Sequence, residues 1–280
     1  MAGQYVAFDI GEAQVKIVSF AGEKVKKAVS EELPDRLVAG GEILSMDAMG
    51  DFLKEVARKH GSGRGNAGVI LPGSLVFTRN VTVPPMTDAQ LAYNLPYEFR
   101  DYLTEEKNKY FFDYSMREVL RDESGHPTEM NLLACATLKS TVESYRTMLR
   151  RAGFRLRVLT PSECAYSAVL QAYYRRTRQE GRDLCVVNLG HSATFLYIYR
   201  GGHFASRREI EVGMSDLEHL VADQCSVDVH VAHEYVRQNY NHVLESEQAR
   251  ELYGRIAVEV VKAVNFFNYN NRERELTQLC

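Results

Sequence analysis

The sequence predicts an α/β protein of two lobes, with a small α+β subdomain inserted into the first. Three observations predict it. A strand, a glycine turn and a second strand open the chain at 5–20 and recur at 184–199. Stripes of apolar residues at helical spacing follow each hairpin. Between them Pro84-Pro85 breaks the pattern and introduces an aromatic, charged stretch of different style.

The elements follow in order. Alternation marks strands at Tyr5 to Ile10 and Val15 to Phe20, joined through Gly11, with a more polar third at Lys24 to Ser30. Met49, Phe52, Leu53, Val56 and Ala57 form one face of a helix that ends at Gly61, Gly63 and Gly65. Gly68 to Leu71 and Val76 to Val83 read as strands around the Pro72-Gly73 turn. Thr87 to Gln90 is a capping box leading into Leu91, Leu95, Phe99 and Tyr102, with Pro96 expected to kink or shorten the helix. Tyr110 to Met116 is strand-like, Arg121 to Pro127 a polar loop, and Asn131 to Thr137 a buried strand. A helix from Leu138 to Ala152 stops at Gly153, followed by a strand at Arg155 to Leu159 and a helix from Pro161-Ser162. The arginine-rich stretch Arg175 to Arg182 reads as a surface connection. Beyond it the meander returns at Leu184 to Leu189, Thr194 to Tyr199 and Phe204 to Glu211. Helices are expected at Ser215 to Gln224 and Val229 to Gln238, then a long one through Leu252, Ile256, Val260, Val264 and Phe267. The expected domains are 1–83 and 129–178 for the first lobe, 84–128 for the insert, and 183–280 for the second lobe.

Composition narrows the function. The chain has 280 residues with 34 basic and 37 acidic side chains, a formal charge of −3, which argues against a dedicated nucleic-acid binder. No apolar run reaches the about 20 residues that span a bilayer, and the N-terminus lacks a signal-peptide pattern. Five scattered cysteines form no CxxC pair, so neither a disulfide framework nor a zinc site is indicated. A reduced, cytoplasmic protein is expected.

The turns carry the chemistry. Phe8-Asp9-Ile10-Gly11 ends a strand in a tight hairpin whose backbone N–H groups suit a phosphate chain. Asp9 can hold a hydrated magnesium ion, and Lys16 on the next strand can neutralise phosphate charge. Val187-Asn188-Leu189-Gly190, with Thr194 beyond, repeats the design, and Gly213 opens a helix further on. The order of these motifs resembles the actin-like ATPase superfamily, whose ribonuclease H-like lobes face each other across a nucleotide cleft. Within it the chain is similar to the PilM family of type IV pilus assembly proteins, related to the cell-division protein FtsA. Leu71 to Val76 with Arg79 and Pro84, Glu98, Phe112-Asp113-Tyr114, Leu132 to Ala136, Tyr145, Ala152-Gly153 and Glu163 to Tyr166 continue the likeness across nearly the whole chain.

That resemblance implies ATP with magnesium at Asp9, Gly11, Glu12, Lys16, Asn188, Gly190, Thr194 and Gly213. It also implies a scaffold at the cytoplasmic face of the inner membrane. There it would grip the N-terminal cytoplasmic tail of a PilN-like membrane protein, contact other platform proteins, and reach the membrane only through partners. The groove is expected near the insert, at Leu91, Leu95, Phe99 and Tyr102. Departures from the pattern imply weak or lost nucleotide binding: Glu12 and Ala13 stand where the family carries small hydroxyl residues, Asn188 replaces an aspartate, and Met214 replaces a second glycine. The stretch Asn270 to Cys280 stops where relatives begin a strand ahead of an adenosine loop, so an incomplete second lobe is expected. No catalytic residue is assigned.

Other readings are weaker. His191-Ser192 lacks the second glycine of a nucleophile elbow. His230 and His233 have no convincing third metal ligand. The arginines at 150–157 and 175–182 lack interleaved aromatics and read as a solvated face. A sugar or acetate kinase needs a catalytic base that is not evident. An active ATPase and an FtsA-like adaptor remain alternatives, the latter without its membrane-targeting helix.

Overall fold

The computed structural model describes residues 4–22, 24–62, 64–179, 182–271, 276 and 278–280. The expected glycine at 63, part of the arginine-rich connection (180–181) and most of the polar turn at 270–275 lie outside them. The chain divides into two compact units, with the boundary between Tyr166 and Ser167. Each is described by itself.

In the first unit the opening alternation becomes an antiparallel meander of β1 (Gln4–Ile10), β2 (Gln14–Ala21) and β3 (Lys24–Glu32). A two-residue-strand hairpin, β4 (Val38–Ala39) and β5 (Glu42–Ile43), was not anticipated. Helix α1 (Met46–Lys59) follows, capped by the Ser45 hydroxyl, which accepts from Ala48 N–H at 3.3 Å. Strand β6 (Gly65–Leu71) then runs parallel to β1.

The chain next leaves the sheet. β7 (Phe77–Val83), α2 (Asp88–Glu98), β8 (Tyr110–Arg121) and β9 (Pro127–Leu138) form a separate antiparallel sheet in the order β7-β9-β8 with one helix. Its ladder runs from Phe77 to Leu138, so the insert's sheet begins before Pro84 and ends after Thr128. The reason is alternation: Val81, Val83, Leu132, Ala134 and Ala136 share a buried face beneath Leu91, Leu95 and Phe99 of the α2 segment. The capping box at Thr87 and Gln90 forms as expected. Pro96 lies within α2, which ends two residues later at Glu98.

The chain then returns through α3 (Lys139–Ala152), whose Gly153 cap sits at φ 92°, where a side chain is strained. β10 (Phe154–Pro161) completes a five-stranded sheet ordered β10-β6-β1-β2-β3. One face of this sheet, through Val6, Phe8, Val15 and Ile17, packs on Leu53 and Val56 of α1 and on Tyr145 and Leu149 of α3. α4 (Ser162–Thr177) carries the unit boundary inside it, ahead of the expected 178.

The second unit repeats the meander as β11 (Leu184–Leu189), β12 (Thr194–Arg200) and β13 (His203–Ile210). Helices α5 (Met214–Cys225), α6 (Val229–Gln238) and α7 (Glu247–Asn270) follow. Leu196, Ile198, Leu217, Val221, Val260 and Phe267 form its core. Near the end of the given sequence an isolated bridge pairs Leu279 with Cys185 in parallel, with Cys185 N–H donating to Gln278 O at 2.9 Å and Cys280 N–H to Cys185 O at 2.9 Å. That parallel step beside β11 is the counterpart of β6 beside β1.

Candidate functional site

Both hairpin turns share one construction. In the first, Ile10 pairs with Val15, Asp9 with Lys16, and Gly11 N–H donates to Gln14 O at 3.0 Å. In the second, Leu189 pairs with Thr194, Asn188 with Phe195, and Gly190 N–H donates to Ala193 O at 2.9 Å. Asp9, Gly11, Glu12 and Lys16 thus correspond to Asn188, Gly190, His191 and Phe195. A Cβ at Gly190 would sit 2.6 Å from Ala193 O, and at Gly11 3.1 Å from Gln14 O, so the second turn is the tighter one.

The first turn gathers its charges. Lys16 Nζ and Asp9 Oδ2 are 3.4 Å apart, and both side chains remain substantially exposed. The Glu12 carboxylate, expected to add like charge beside a phosphate, has a protein partner. Its Oε1 accepts the Gly41 N–H at 2.5 Å and so fastens the β4–β5 hairpin to the turn. Leu33 N–H donates to Ala13 O at 2.9 Å from the other side. One turn along α4, burial raises the Tyr166 phenol and the Asp9 charge raises it further, which places the start of α4 beside this turn.

Glu163, in that same first turn of α4, belongs to a stretch that carries the family likeness, without a role assigned from sequence. It is almost fully buried and accepts from the Thr78 hydroxyl at the base of the insert. A buried carboxylate beside two strand ends has no local signature in sequence, because Thr78 is distant along the chain.

The second turn commits its polar groups internally. Met214 N–H donates to Gly190 O at 3.0 Å, and Ser215 N–H to His191 O at 2.8 Å. Gly213 N–H donates to the Asp216 carboxylate at 2.8 Å. The first amides of α5, which elsewhere bind anions, are therefore engaged by protein acceptors. Gly213 is required by space: a Cβ there would lie 2.2 Å from His191 O. Thr194, expected to contact phosphate, is instead fully buried, and its hydroxyl donates to Val212 O at 2.8 Å. It locks the turn to the segment that enters α5 and is corrected to a structural residue.

Beside this turn, within the second unit, a groove of about 740 Å³ runs between the end of β13 and α7. Ile210, Val212 and Val258 give it apolar walls, Gly254 leaves it open, and Arg255, Glu259 and Lys262 supply charge. Lys262 Nζ lies 2.7 Å from Glu259, whose carboxyl it holds below the usual range. Glu209 and Glu211 also line it, so its charge is mixed, three carboxylates against two cations. The groove joins residues over forty positions apart, so local motifs could not reveal it.

The expected partner-binding residues divide. Leu91, Leu95 and Phe99 are buried in the insert's own core, so they support the subdomain and are withdrawn as contact residues. Tyr102 is 52% exposed, with the Arg79 guanidinium 5.0 Å from its ring centre. Tyr93 and Tyr97, on the outward face of α2, are 70% and 46% exposed. Their ring centres lie 5.9 Å apart, and Lys107 Nζ sits 4.2 Å from the centre of the Tyr97 ring. His233, weighed as a metal ligand, has Nδ1 2.8 Å from the buried Glu218 carboxylate.

The family whose description is "Type IV pilus assembly protein PilM" matches residues 7–280. The chain belongs to that family. Among curated protein sequences none matches. A solved PilM–PilN type IV pilus biogenesis complex superposes with TM-score 0.77 at 19% identity, over 95% of this chain and 77% of that one. The ethanolamine utilization protein EutJ from Carboxydothermus hydrogenoformans gives TM-score 0.58 at 14% identity, over 94% and 71%. The fold is that of the actin-like ATPases, and the chain is an actin-like type IV pilus assembly protein. No helix among the described residues is long and apolar enough to cross a membrane.

Against ATP and magnesium, this PilM-family member fits unevenly. Asp9 and Lys16 are exposed groups of the right charge for a metal ion and a phosphate. Gly213, Met214 and Ser215 do not offer their amides, Thr194 is out of reach, and Asn188 supplies no charge.

Proposed function

We propose that this PilM-family protein is a cytoplasmic scaffold of the inner-membrane pilus platform, with weak or lost ATP binding. It binds the N-terminal cytoplasmic tail of a PilN-like membrane protein and contacts other platform proteins. One observation carries the choice of scaffold over enzyme: the three amides that open α5 already have protein acceptors within the second unit. A nucleotide would have to displace those bonds and meet the Asp216 carboxylate, which lowers affinity through like charge.

The partner reading draws support from the insert. Its core is complete without Tyr93, Tyr97 and Tyr102, which leaves amphipathic rings and two flanking cations on its surface. Such rings dominate binding surfaces because they bring large contact area with few rotatable bonds. The solved relative is itself a complex of PilM with PilN. A pull-down with the cytoplasmic tail of the PilN-like protein tests this. Tyr93→Ala, Tyr97→Ala and Tyr102→Ala together should weaken capture about tenfold or more; unchanged capture moves the site elsewhere.

The groove at Val258 and Glu259 favours a second reading, an actin-like ATPase that retains turnover. A fluorescent ATP titration with magnesium separates the two. The scaffold reading expects no saturation in the low micromolar range and no steady phosphate release.

A further inference from the structure

Two stretches that contain no acidic residue, 56–87 and 144–158, meet at one corner of the first unit. The fold brings them together by the parallel pairing of β6 with β10, which sets Phe154 opposite Gly65 and Arg155 opposite Asn66. Arg64 Cγ lies 3.7 Å from the position of a Cβ on Gly153, so its stem rests on the α3–β10 turn. Arg150 is in the last turn of α3, and its carbonyl accepts the Gly153 N–H at 3.0 Å. A bulge between Leu156 and Val158 re-aims Arg157, whose Nε donates to Asn66 Oδ1 at 3.1 Å.

Neighbouring cations are neutralised in place. Arg151 Nη2 is 2.6 Å from Asp51, Arg146 pairs with Glu143, and Lys59 is 2.8 Å from Glu31. Among the described residues Arg64, Arg150, Arg155 and Arg157 are all exposed and none has a carboxylate partner. Four guanidinium groups thus gather on a chain whose net charge is −3, a segregation that composition alone conceals.

We propose that this corner binds the anionic phospholipid surface of a bilayer directly, rather than reaching the membrane only through partners. Clusters of four to eight basic residues are attracted to anionic lipid headgroups, and guanidinium groups match phosphate in two-point geometry. Val158, 47% exposed beside Arg157, adds a small apolar contact. A single-stranded nucleic acid is the poorer match. Tyr145 and Phe154 are buried, and the one ring beside Arg157 and Val158, Tyr5, is partly buried with its hydroxyl enclosed, so among the described residues the corner lacks the succession of open rings on which bases stack.

Sedimentation of the purified chain with vesicles tests the proposal. Vesicles of phosphatidylcholine with about 30% phosphatidylglycerol should capture it at about 0.05 M salt and release it at about 0.3 M, while pure phosphatidylcholine should not bind. Arg155→Gln with Arg157→Gln should lower the partition coefficient roughly 30-fold. Lys24→Gln with Lys26→Gln, an equal charge change on β3, should leave it nearly unchanged, with thermal melts confirming that both variants fold. Equal loss in both variants, or no preference for the anionic vesicles, overturns the proposal. So does an oligonucleotide that displaces the protein from vesicles at equal phosphate concentration.

Discussion

At the first turn the Asp9 carboxylate and Lys16 ammonium stand exposed and 3.4 Å apart, while the corresponding positions of the second are Asn188 and Phe195. The turns agree in backbone and differ in what they leave available. The second ties itself to α5 through Gly190 O, His191 O and the Thr194 hydroxyl. The first ties itself to the β4–β5 hairpin through one side chain, Glu12. A repeated motif can therefore keep its backbone shape while its two copies present different side chains.

The largest expected effect is on stability. Gly213→Ala would drive a Cβ onto His191 O at 2.2 Å, which is backbone and cannot yield, so a loss of about 3 kcal/mol is expected. Gly190→Ala, meeting Ala193 O at 2.6 Å, should cost about 2 kcal/mol, and Gly11→Ala, at 3.1 Å, about 1 kcal/mol or less. Urea unfolding of the three variants measures the order. Equal losses at Gly11 and Gly190 would break the claim that the second turn is the tighter.

Next comes an exchange of the residues that follow the turns. Thr194→Val leaves Val212 O without its buried donor and should cost about 1 to 3 kcal/mol. Val15 is the counterpart of Thr194 and is also fully buried. Val15→Thr places a hydroxyl in the first unit's apolar core, and a similar loss is expected. If Val15→Thr is tolerated, the two turns are more alike than their hydrogen bonds indicate.

Much of this architecture is legible in the chain. Alternation at 5–10 and 15–20 and the capping box at Thr87 report local physics, and the structure carries them as β1, β2 and the start of α2. The periodic stripe at Leu91, Leu95 and Phe99 was also real, but periodicity marks a buried face without naming what covers it. Here the cover is the insert's own sheet. The engaged amides of Met214 and Ser215 leave no trace in side-chain identity, since any residue has an N–H. The sequence presents Glu12 only as a charge beside the turn, because its partner Gly41 lies 29 positions away.

A third change acts on the ligand. Asn188→Asp with Met214→Gly restores the charge and the second glycine at the second turn. If the proposed weakness lies there, affinity for magnesium ATP should rise about tenfold, or about 1.4 kcal/mol. Gln14→Asp at the exposed start of β2 serves as a control for charge alone. A gain of equal size with the control would place the weakness outside the second turn.

The smallest effect concerns how each turn is fastened. Glu12→Ala removes the acceptor of the Gly41 N–H, a partly buried charged hydrogen bond, and should cost about 1 kcal/mol. His191 occupies the matching position in the second turn but fastens it through its backbone carbonyl, to Ser215 N–H at 2.8 Å. His191→Ala keeps that carbonyl, so its effect should stay within about 0.5 kcal/mol. Hydrogen exchange reads the difference locally: the Gly41 amide should lose protection in Glu12→Ala, while the Ser215 amide should keep it in His191→Ala. Loss of protection at Ser215 would mean that the imidazole, and not the backbone, holds the second turn closed.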